Sequence, residues 1–317
     1  MAYVVQAQAY CFVGEGLVGR PSKIEVSAVN IRIPAEMDRK YSDLIELIVS
    51  LKVGVKVYGN TYVAITTFDR STGVGAFSKY SEIDIDGDWF DIDSFGLARP
   101  EQVDEVMIPD SLRPNFSSFY FILDASLHVI VFETYSESKN LSSRSVQKYF
   151  DEILGRSEIS NVYGYIEADI IKSYGEVERI LALPDLRELR IIIRRPNPDD
   201  VSGDLARIIE ERLREQKGEE YEEILRSKDR DGLEPNERTK KLSVVAAENG
   251  QVIAKSLVNG VMSSHDTEEK PQKEVESFNK DEIAPRSVFL RLAEKLFGRV
   301  RSSRQNIIIQ DSGGLDA

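Results

Sequence analysis

The 317-residue chain contains a single cysteine, Cys11, and only two histidines, His128 and His265. One cysteine excludes a disulfide within the chain and is typical of a reducing cytoplasm. So few sulfur and imidazole donors disfavour a zinc site built from cysteine and histidine. A histidine-dependent catalytic triad would have to use one of these two histidines, and no motif marks a nucleophile for either. We therefore expect no cofactor and favour a protein without enzymatic activity.

Long apolar runs are also missing. No uninterrupted stretch approaches the roughly 20 residues that a membrane-spanning helix needs. The first residues lack the basic region followed by an apolar region that marks a secretory leader. The sequence therefore predicts a cytoplasmic protein that does not insert into a membrane.

The chain has few basic residues relative to acidic ones. Its 41 lysines and arginines face 54 acids, which gives a net charge of −13 and argues against a surface that is basic overall. The exception is a stretch from 285 to 301, where an apolar stripe at helical spacing alternates with basic residues. These basic residues, with one just after the stretch, are Arg286, Arg291, Lys295, Arg299, Arg301 and Arg304. Such a helix can pack in a core or a dimer, contact nucleic acid, or lie on a membrane surface.

The patterning predicts an α+β fold with a β-rich N-terminal half of antiparallel strands and a layered α/β C-terminal half. Strands are expected at 3–13 and 24–33, and a hairpin at 119–134. In the second half, helices and strands alternate, including a strand at 162–168. We divide the chain into a β-rich domain at 1–136, an α/β domain at 137–262, a polar linker at 263–283, and an amphipathic basic helix with a tail at 284–317. The end of that tail, at 306–310, could add an edge strand.

Two clusters of charged residues allow alternative chemistries. Asp124, Glu137 and Lys139 are the residue types of a metal-dependent nuclease, in which carboxylates hold the ion and a lysine steadies the attacking water. The segment from 82 to 93 has the spacing of a calcium loop, with Gly87 at its sixth position. The ligands of that loop would be Glu82, Asp84, Asp86 and Asp93. For both clusters, solvated charges in turns are the simpler interpretation, so we assign no catalytic residue and no metal site.

Gly14, Gly16 and Gly19 have the spacing of a dinucleotide-binding loop. In such a site the loop opens a helix, whose N-terminus supports the pyrophosphate. Here a β-rich stretch follows instead. The sequence therefore predicts an ordinary loop at these glycines.

Several short phrases, taken in order, resemble a bacterial family catalogued as domain of unknown function 4747. They are Asp86-Gly87-Asp88-Trp89-Phe90, Ile108-Pro109-Asp110, Arg113-Pro114-Asn115-Phe116, Phe121-Ile122-Leu123-Asp124, Arg195-Pro196-Asn197-Pro198-Asp199-Asp200 and Ala246-Ala247-Glu248-Asn249-Gly250. The family is similar, more distantly, to the phage lambda exclusion protein RexA, a dimeric DNA-binding sensor component. The resemblance implies a role in phage defence or prophage exclusion, and it supplies no catalytic residue.

We therefore expect a phage-defence or prophage-exclusion factor that binds duplex DNA without sequence preference as a homodimer. The basic residues at 286–304 are the predicted phosphate contacts, and Arg194 and Arg195 belong to a second predicted cluster. Two alternatives stay open. One is the metal-dependent nuclease, and the other is an adaptor whose C-terminal helix docks a partner protein of a defence system.

Overall fold

A computed structural model describes residues 21–34, 37, 40–85, 87–104, 106–196, 203–228 and 231–311. The strands are β1 Ser22–Arg32, β2 Val55–Tyr58, β3 Thr61–Asp69, β4 Val74–Ser81, β5 Phe90–Asp91, β6 Gly96–Leu97, β7 Ser117–Asp124, β8 Val129–Ser136, β9 Lys139–Asn140, β10 Glu167–Ile170, β11 Leu186–Arg194, β12 Glu220–Arg226, β13 Gly250–Val258, β14 Val261–Asp266 and β15 Lys273–Phe278. The helices are α1 Tyr41–Leu51, α2 Pro100–Asp104, α3 Ser143–Leu154, α4 Ser157–Tyr163, α5 Tyr174–Leu181, α6 Gly203–Glu215, α7 Glu237–Asn249 and α8 Pro285–Asp311.

The larger sheet has the strand order β10-β1-β8-β7-β4-β3-β2, with β15 also pairing with β1 and β9 with β8. All of these pairings are antiparallel. Both β10 and β15 lie on the same edge of β1, where they pair with its second and first halves respectively. The α+β prediction is confirmed. The larger sheet nevertheless takes strands from both halves of the chain.

Strand β1 is buried on both faces because helices cover both sides of the sheet. Val29 and Ile31 point into a core shared with α1, α3 and α4. Ile24, Val26 and Ala28 point the other way, into a core formed with α8. The alternation of strand side chains thus makes one strand serve two cores.

The second sheet has the order β12-β11-β13-β14. Its inner face packs against α5, α6 and α7, and apolar residues of β11 such as Leu189, Ile191 and Ile193 lie in that core. Helix α7 begins at an Asn236 cap, whose side chain accepts from the Thr239 amide, and ends at Gly250. The layered arrangement predicted for this half is confirmed.

The polar segment 263–283 is not a linker, which corrects the prediction. It contributes the end of edge strand β14 and the whole of β15, which pairs with β1 from Ser22 to Ser27. The inward residues of β15 include Glu274, only 4% exposed. A strand whose buried positions carry carboxylates lacks the apolar alternation by which a strand is recognised, and the polar composition therefore points to a linker.

Other local predictions need correction. Residues 157–163 form α4, so the strand predicted at 162–168 begins only at Glu167. The predicted edge strand at 306–310 instead continues α8. The strand predicted at 3–13 and the glycines at 14, 16 and 19 lie outside the described residues. In the part of the chain that the structure describes, no helix is both long enough and apolar enough to cross a membrane.

Candidate functional site

The basic side chains of α8 that were predicted to contact DNA bind carboxylates of the same chain. Arg291 pairs with Glu276, and both Lys295 and Arg299 pair with Glu274, with Lys295 Nζ 2.5 Å from Glu274 Oε2. Both glutamates belong to β15, and Glu274 is almost fully buried. These cations therefore neutralise carboxylates of the strand beneath them, while about half of each cationic side chain stays exposed.

Two more basic residues of α8 are also engaged. Arg301 lies 2.8 Å from Asp124 Oδ2 and 3.1 Å from Glu294 Oε1. Arg304 is buried, donates to Glu248 Oε2 at 2.8 Å, and reaches the Leu127 carbonyl at 3.0 Å. Of the six predicted residues on or near this helix, only exposed Arg286 has no carboxylate within 4 Å among the described residues. Five of the six predicted residues are therefore paired within the chain, and DNA contact by this helix stays a prediction.

The second predicted cluster joins the two sheets through a buried network. Arg194 Nη1 lies 2.5 Å from Asp169 Oδ1, and Arg32 Nη2 lies 2.5 Å from the other carboxylate oxygen. Arg32 also binds Glu167 at 3.2 Å and Asn249 at 3.4 Å. Burial lowers the pKa of Arg32, but the charges of Asp169 and Glu167 outweigh it, so that its pKa is raised. Arg194 therefore serves the structure.

Arg195 follows at the end of β11. It is half-buried, its backbone amide donates to the Glu219 carbonyl at 3.3 Å, and its Nε is enclosed with no hydrogen-bond partner among the described residues. The DNA contact predicted for Arg195 stays a prediction.

The residues of the nuclease hypothesis lie far apart. Asp124 pairs with Val129 at one end of the β7–β8 hairpin, whereas Glu137 follows β8 at the other end. Eight strand residues at about 3.3 Å each separate them by more than about 20 Å. Asp124 binds Ser126 and Arg301, Glu137 binds Lys280, and Lys139 donates to the Phe116 carbonyl. One metal ion cannot bridge them, so this alternative loses its site.

The structure does not support the calcium-loop hypothesis either. Glu82 binds Arg113 at 3.3 Å, and Asp84 and Asp93 lie in an irregular stretch without flanking helices. Asp86 lies outside the described residues. Within the described part of the chain, no three acidic, histidine or cysteine side chains are gathered to hold an ion.

A small group of cations near the start of α3 does lack carboxylate partners. Lys79 donates to the Asn140 side chain at 3.1 Å, and Lys139 donates to the Phe116 carbonyl at 3.1 Å. Burial and the nearby charge of Lys139 both lower the pKa of Lys79. Arg144 and Lys148 lie one turn apart on the exposed face of α3. We call Lys79, Lys139, Arg144 and Lys148 the cation patch.

The patch borders a cleft of about 590 Å³ between α3 and the β14–β15 connection. Asn140, Ser142, Ser143 and Arg144 line its patch side. Its opposite wall pairs Lys172 with Glu268 at 3.0 Å and Lys273 with Glu25 at 2.7 Å. The cations on the opposite wall of the cleft are therefore balanced by carboxylates. Among the described residues around the cleft, positive charge without a carboxylate partner lies only on the side that the cation patch borders.

Exposed large apolar side chains are concentrated in the connection from β4 to β7, residues 82–116, which we call the acidic arm. Its base is held by hydrogen bonds such as Ser81 amide to Pro114 carbonyl, 2.9 Å, and its tip by the short β5–β6 ladder. None of its described residues is buried. The structure records 21 exposed large apolar side chains among the described residues, and nine belong to this arm. They are Ile83, Ile85, Phe90, Ile92, Phe95, Leu97, Met107, Leu112 and Phe116.

The arm is also strongly acidic. It carries ten acids and two arginines, so it holds −8 of the net −13 of the chain. Asp91 organises the tip by accepting from the Asp93 amide at 3.0 Å and the Ser94 hydroxyl at 2.8 Å. The hydrogen bonds from Ser94 and Asp93 lower the pKa of Asp91. The arm thus combines exposed apolar side chains with a fixed negative charge.

A comparison with known protein families identifies the family of the chain. The family model described as domain of unknown function (DUF4747) matches residues 22–294. The chain belongs to this family. The match covers both sheets, the acidic arm and the first part of α8. No curated protein matches the chain.

In this family member, the exposure of the arm does not follow from its residue types. Large aromatic residues are usually buried, but Phe90 is 60% exposed. Trp89 is half-buried and donates to the Ile85 carbonyl at 3.1 Å. One feature of the sequence does indicate exposure of the arm: its apolar and acidic residues mix without helical or strand periodicity. A buried helix or strand would show such periodicity.

One buried carboxyl gives this family member a pH-dependent stability. Glu133 on β8 is 2% exposed, and its Oε2 accepts from the Tyr120 amide at 2.8 Å. Burial raises its pKa from the ordinary 4.5 to about 7, although hydrogen bonds from Tyr120 and Ser136 act in the opposite direction. The folded protein therefore holds this proton more tightly than the unfolded chain.

We expect the stability that this group contributes to be complete below pH 4.5 and lost as the pH rises to about 7. The loss is on the order of 3 kcal/mol, since one pKa unit corresponds to about 1.4 kcal/mol. Glu133→Gln should remove this pH-dependent loss. The free energy of unfolding of the variant should therefore exceed that of the parent at pH 8 but not at pH 4.5. Urea unfolding at both pH values measures the difference. Parallel pH profiles for the two proteins would refute the assignment.

Proposed function

We propose that this protein is a non-enzymatic adaptor that docks a partner protein through its acidic arm. The supporting observation is the nine large apolar side chains that the arm exposes with no core of its own. Exposed apolar side chains that are concentrated in one segment are costly in water and are characteristic of an interaction site. The C-terminal helix, which was the predicted docking element, has its apolar stripe buried against β1 and β8. The adaptor hypothesis therefore moves from α8 to the arm.

A photo-crosslinking amino acid at Phe95 tests this proposal in cells of the source organism. Phe95 is 82% exposed at the tip of the arm, so we expect a discrete protein adduct of defined mass. The matched control carries the same group at Tyr58, which is 81% exposed but outside the arm. Adducts that are absent at position 95, or identical at both positions, would overturn the proposal.

Duplex-DNA binding in phage defence is a second candidate, supported by the cation patch. Its four side chains have no carboxylate within 4 Å among the described residues, which is what a phosphate contact requires. Homodimer formation belongs to the same hypothesis. An isologous arm-to-arm contact would oppose two segments of charge −8, so any dimer should form elsewhere.

We expect the triple variant Lys139→Gln, Arg144→Gln and Lys148→Gln to weaken duplex-DNA binding and to reduce its salt dependence, by up to about 0.9 in the logarithmic slope for each lost phosphate contact. The control is Lys23→Gln, Arg207→Gln and Lys240→Gln, an equal charge change at exposed, paired cations. Fluorescence anisotropy at low and physiological salt measures both. No binding by the parent, or equal loss in the two variants, would discard this candidate.

A further inference from the structure

The acidic arm contains two depressions that could receive side chains of a partner. The larger has a volume of about 470 Å³, and its lining includes Trp89, Phe90, Ile92, Val103 and Val106. Asp91 and Asp93 also line it. The smaller, of about 300 Å³, lies near the base between Ile83, Ile85 and Leu112. The exposed apolar surface of the arm is therefore concave in two places, and carboxylates border the larger depression.

An aromatic side chain is held beside the larger depression in an unusual backbone conformation. Phe95 has φ +53°, a region that bulky residues rarely adopt. Its ring packs edge-on against Phe90, 5.3 Å between centroids, yet Phe95 remains 82% exposed. The positive φ costs a small conformational free energy, and the side chain is not buried in return. Such strain at an exposed residue is characteristic of a residue positioned for binding.

The charge of the arm limits what can cover it. Nucleic acid and anionic lipid would be repelled by a segment of charge −8, and so would a second copy of the arm. A basic partner meets no such repulsion and gains from electrostatic steering. The apolar side chains extend over 34 residues, from 83 to 116, a span that suits a macromolecular partner.

Resting on the proposed adaptor function, we propose that the arm binds an amphipathic helix rich in lysine or arginine from a partner protein. Its apolar face would fill the depression beside Trp89 and Phe95, in the manner of a helix in a groove. Its cations would face the exposed carboxylates, of which Asp88, Asp93 and Asp104 are three. The apolar contacts supply affinity, and the charges supply selection against other surfaces.

The probe is a labelled synthetic peptide of about 18 residues, or five helical turns, with leucine on one face and lysine on the other. Anisotropy is measured with the full chain. A peptide of the same composition but scrambled order, and one with glutamate in place of lysine, are the comparison peptides. We expect the amphipathic basic peptide to bind at least tenfold more tightly than either. Equal binding of the scrambled peptide would overturn the proposal, because it would reflect charge alone.

Two arm variants separate the apolar and charged contributions. Ile92→Ser, Leu97→Ser and Met107→Ser remove exposed apolar groups, and Asp88→Asn, Asp93→Asn and Asp104→Asn remove charge. Each should weaken binding at least tenfold without changing the thermal midpoint, since all six side chains are exposed. The matched control is Glu215→Gln, Glu219→Gln and Glu220→Gln, an exposed acidic stretch outside the arm, which should change binding less than twofold.

Equal weakening by the control, or no effect of either arm variant, would overturn the proposal. The two levels of inference can fail separately. A crosslinked adduct at position 95 with no affinity for the basic peptide would refute the partner chemistry and leave the adaptor function standing. Absence of the adduct would refute the adaptor function itself.

Discussion

Ending the chain at Asn279 should abolish folding, because it removes the whole of α8. This helix contributes seven buried apolar residues to the core that it shares with β1, β8 and β15, and they are Val288, Phe289, Leu292, Ala293, Leu296, Phe297 and Val300. Burying one large apolar side chain contributes roughly 1.5–3 kcal/mol. Their sum is comparable to the whole stability of a typical domain, about 5–15 kcal/mol. We expect an insoluble or non-cooperative product by circular dichroism and thermal unfolding.

The control for this truncation ends at Asp311 and removes only residues beyond the described helix. It should keep the thermal transition of the full chain. A milder variant, Phe289→Ala, should cost about 3–5 kcal/mol by leaving a cavity beside Tyr120. A chain ending at Asn279 that still unfolds cooperatively would show that α8 is an accessory element.

The ion pairs between α8 and β15 also decide how the predicted DNA contact of α8 can be tested. Glu274 and Glu276 lie on the α8 side of the sheet, where they meet Lys295, Arg299 and Arg291. Reversing the charge of these cations would place like charges over a buried carboxylate, and the resulting loss of stability would mask any effect on DNA. DNA binding is therefore better tested at the cation patch.

The sequence predicts well those elements whose pattern reflects burial. Helix α8 is recognisable from its apolar stripe, and β11 from its run of isoleucines, because both patterns record an apolar face. Strand β15 escapes such recognition because its buried Glu274 is stabilised by Lys295 and Arg299. That compensation depends on the pairing of β15 with β1, about 250 positions away in the chain, and no local pattern encodes it.

The candidate site was predictable only in part. The negative charge of residues 82–116 can be counted in the sequence, but their exposure cannot. Large aromatic residues such as Trp89 and Phe90 are usually buried. In the structure they lie in a connection that has no covering layer, so the same side chains form a surface. The amino-acid composition of the arm predicts its charge and its apolar content. Whether these side chains are exposed or buried depends on the fold.

Arg32→Met should cost about 3–5 kcal/mol of unfolding free energy, the second large effect that we expect. Arg32 is 4% exposed and links Asp169, Glu167 and Asn249, while Arg194 approaches Asp169 from the second sheet. Removing the guanidinium leaves a buried carboxylate with one cation instead of two. Breaking a buried ion pair on one side is costly because the remaining charge stays desolvated. Urea unfolding at neutral pH measures the loss.

The matched control is Arg156→Met, which removes an exposed pair with Glu158 at 3.4 Å and should cost less than about 1 kcal/mol. Adding Asp169→Asn to Arg32→Met should recover part of the loss, since the uncompensated carboxylate disappears with it. Equal costs for Arg32→Met and Arg156→Met would mean that Arg194 alone neutralises Asp169. In that case the link between the sheets would depend on β1–β10 pairing and on the Asn30–Asn249 hydrogen bond of 3.1 Å, with little contribution from the ionic network.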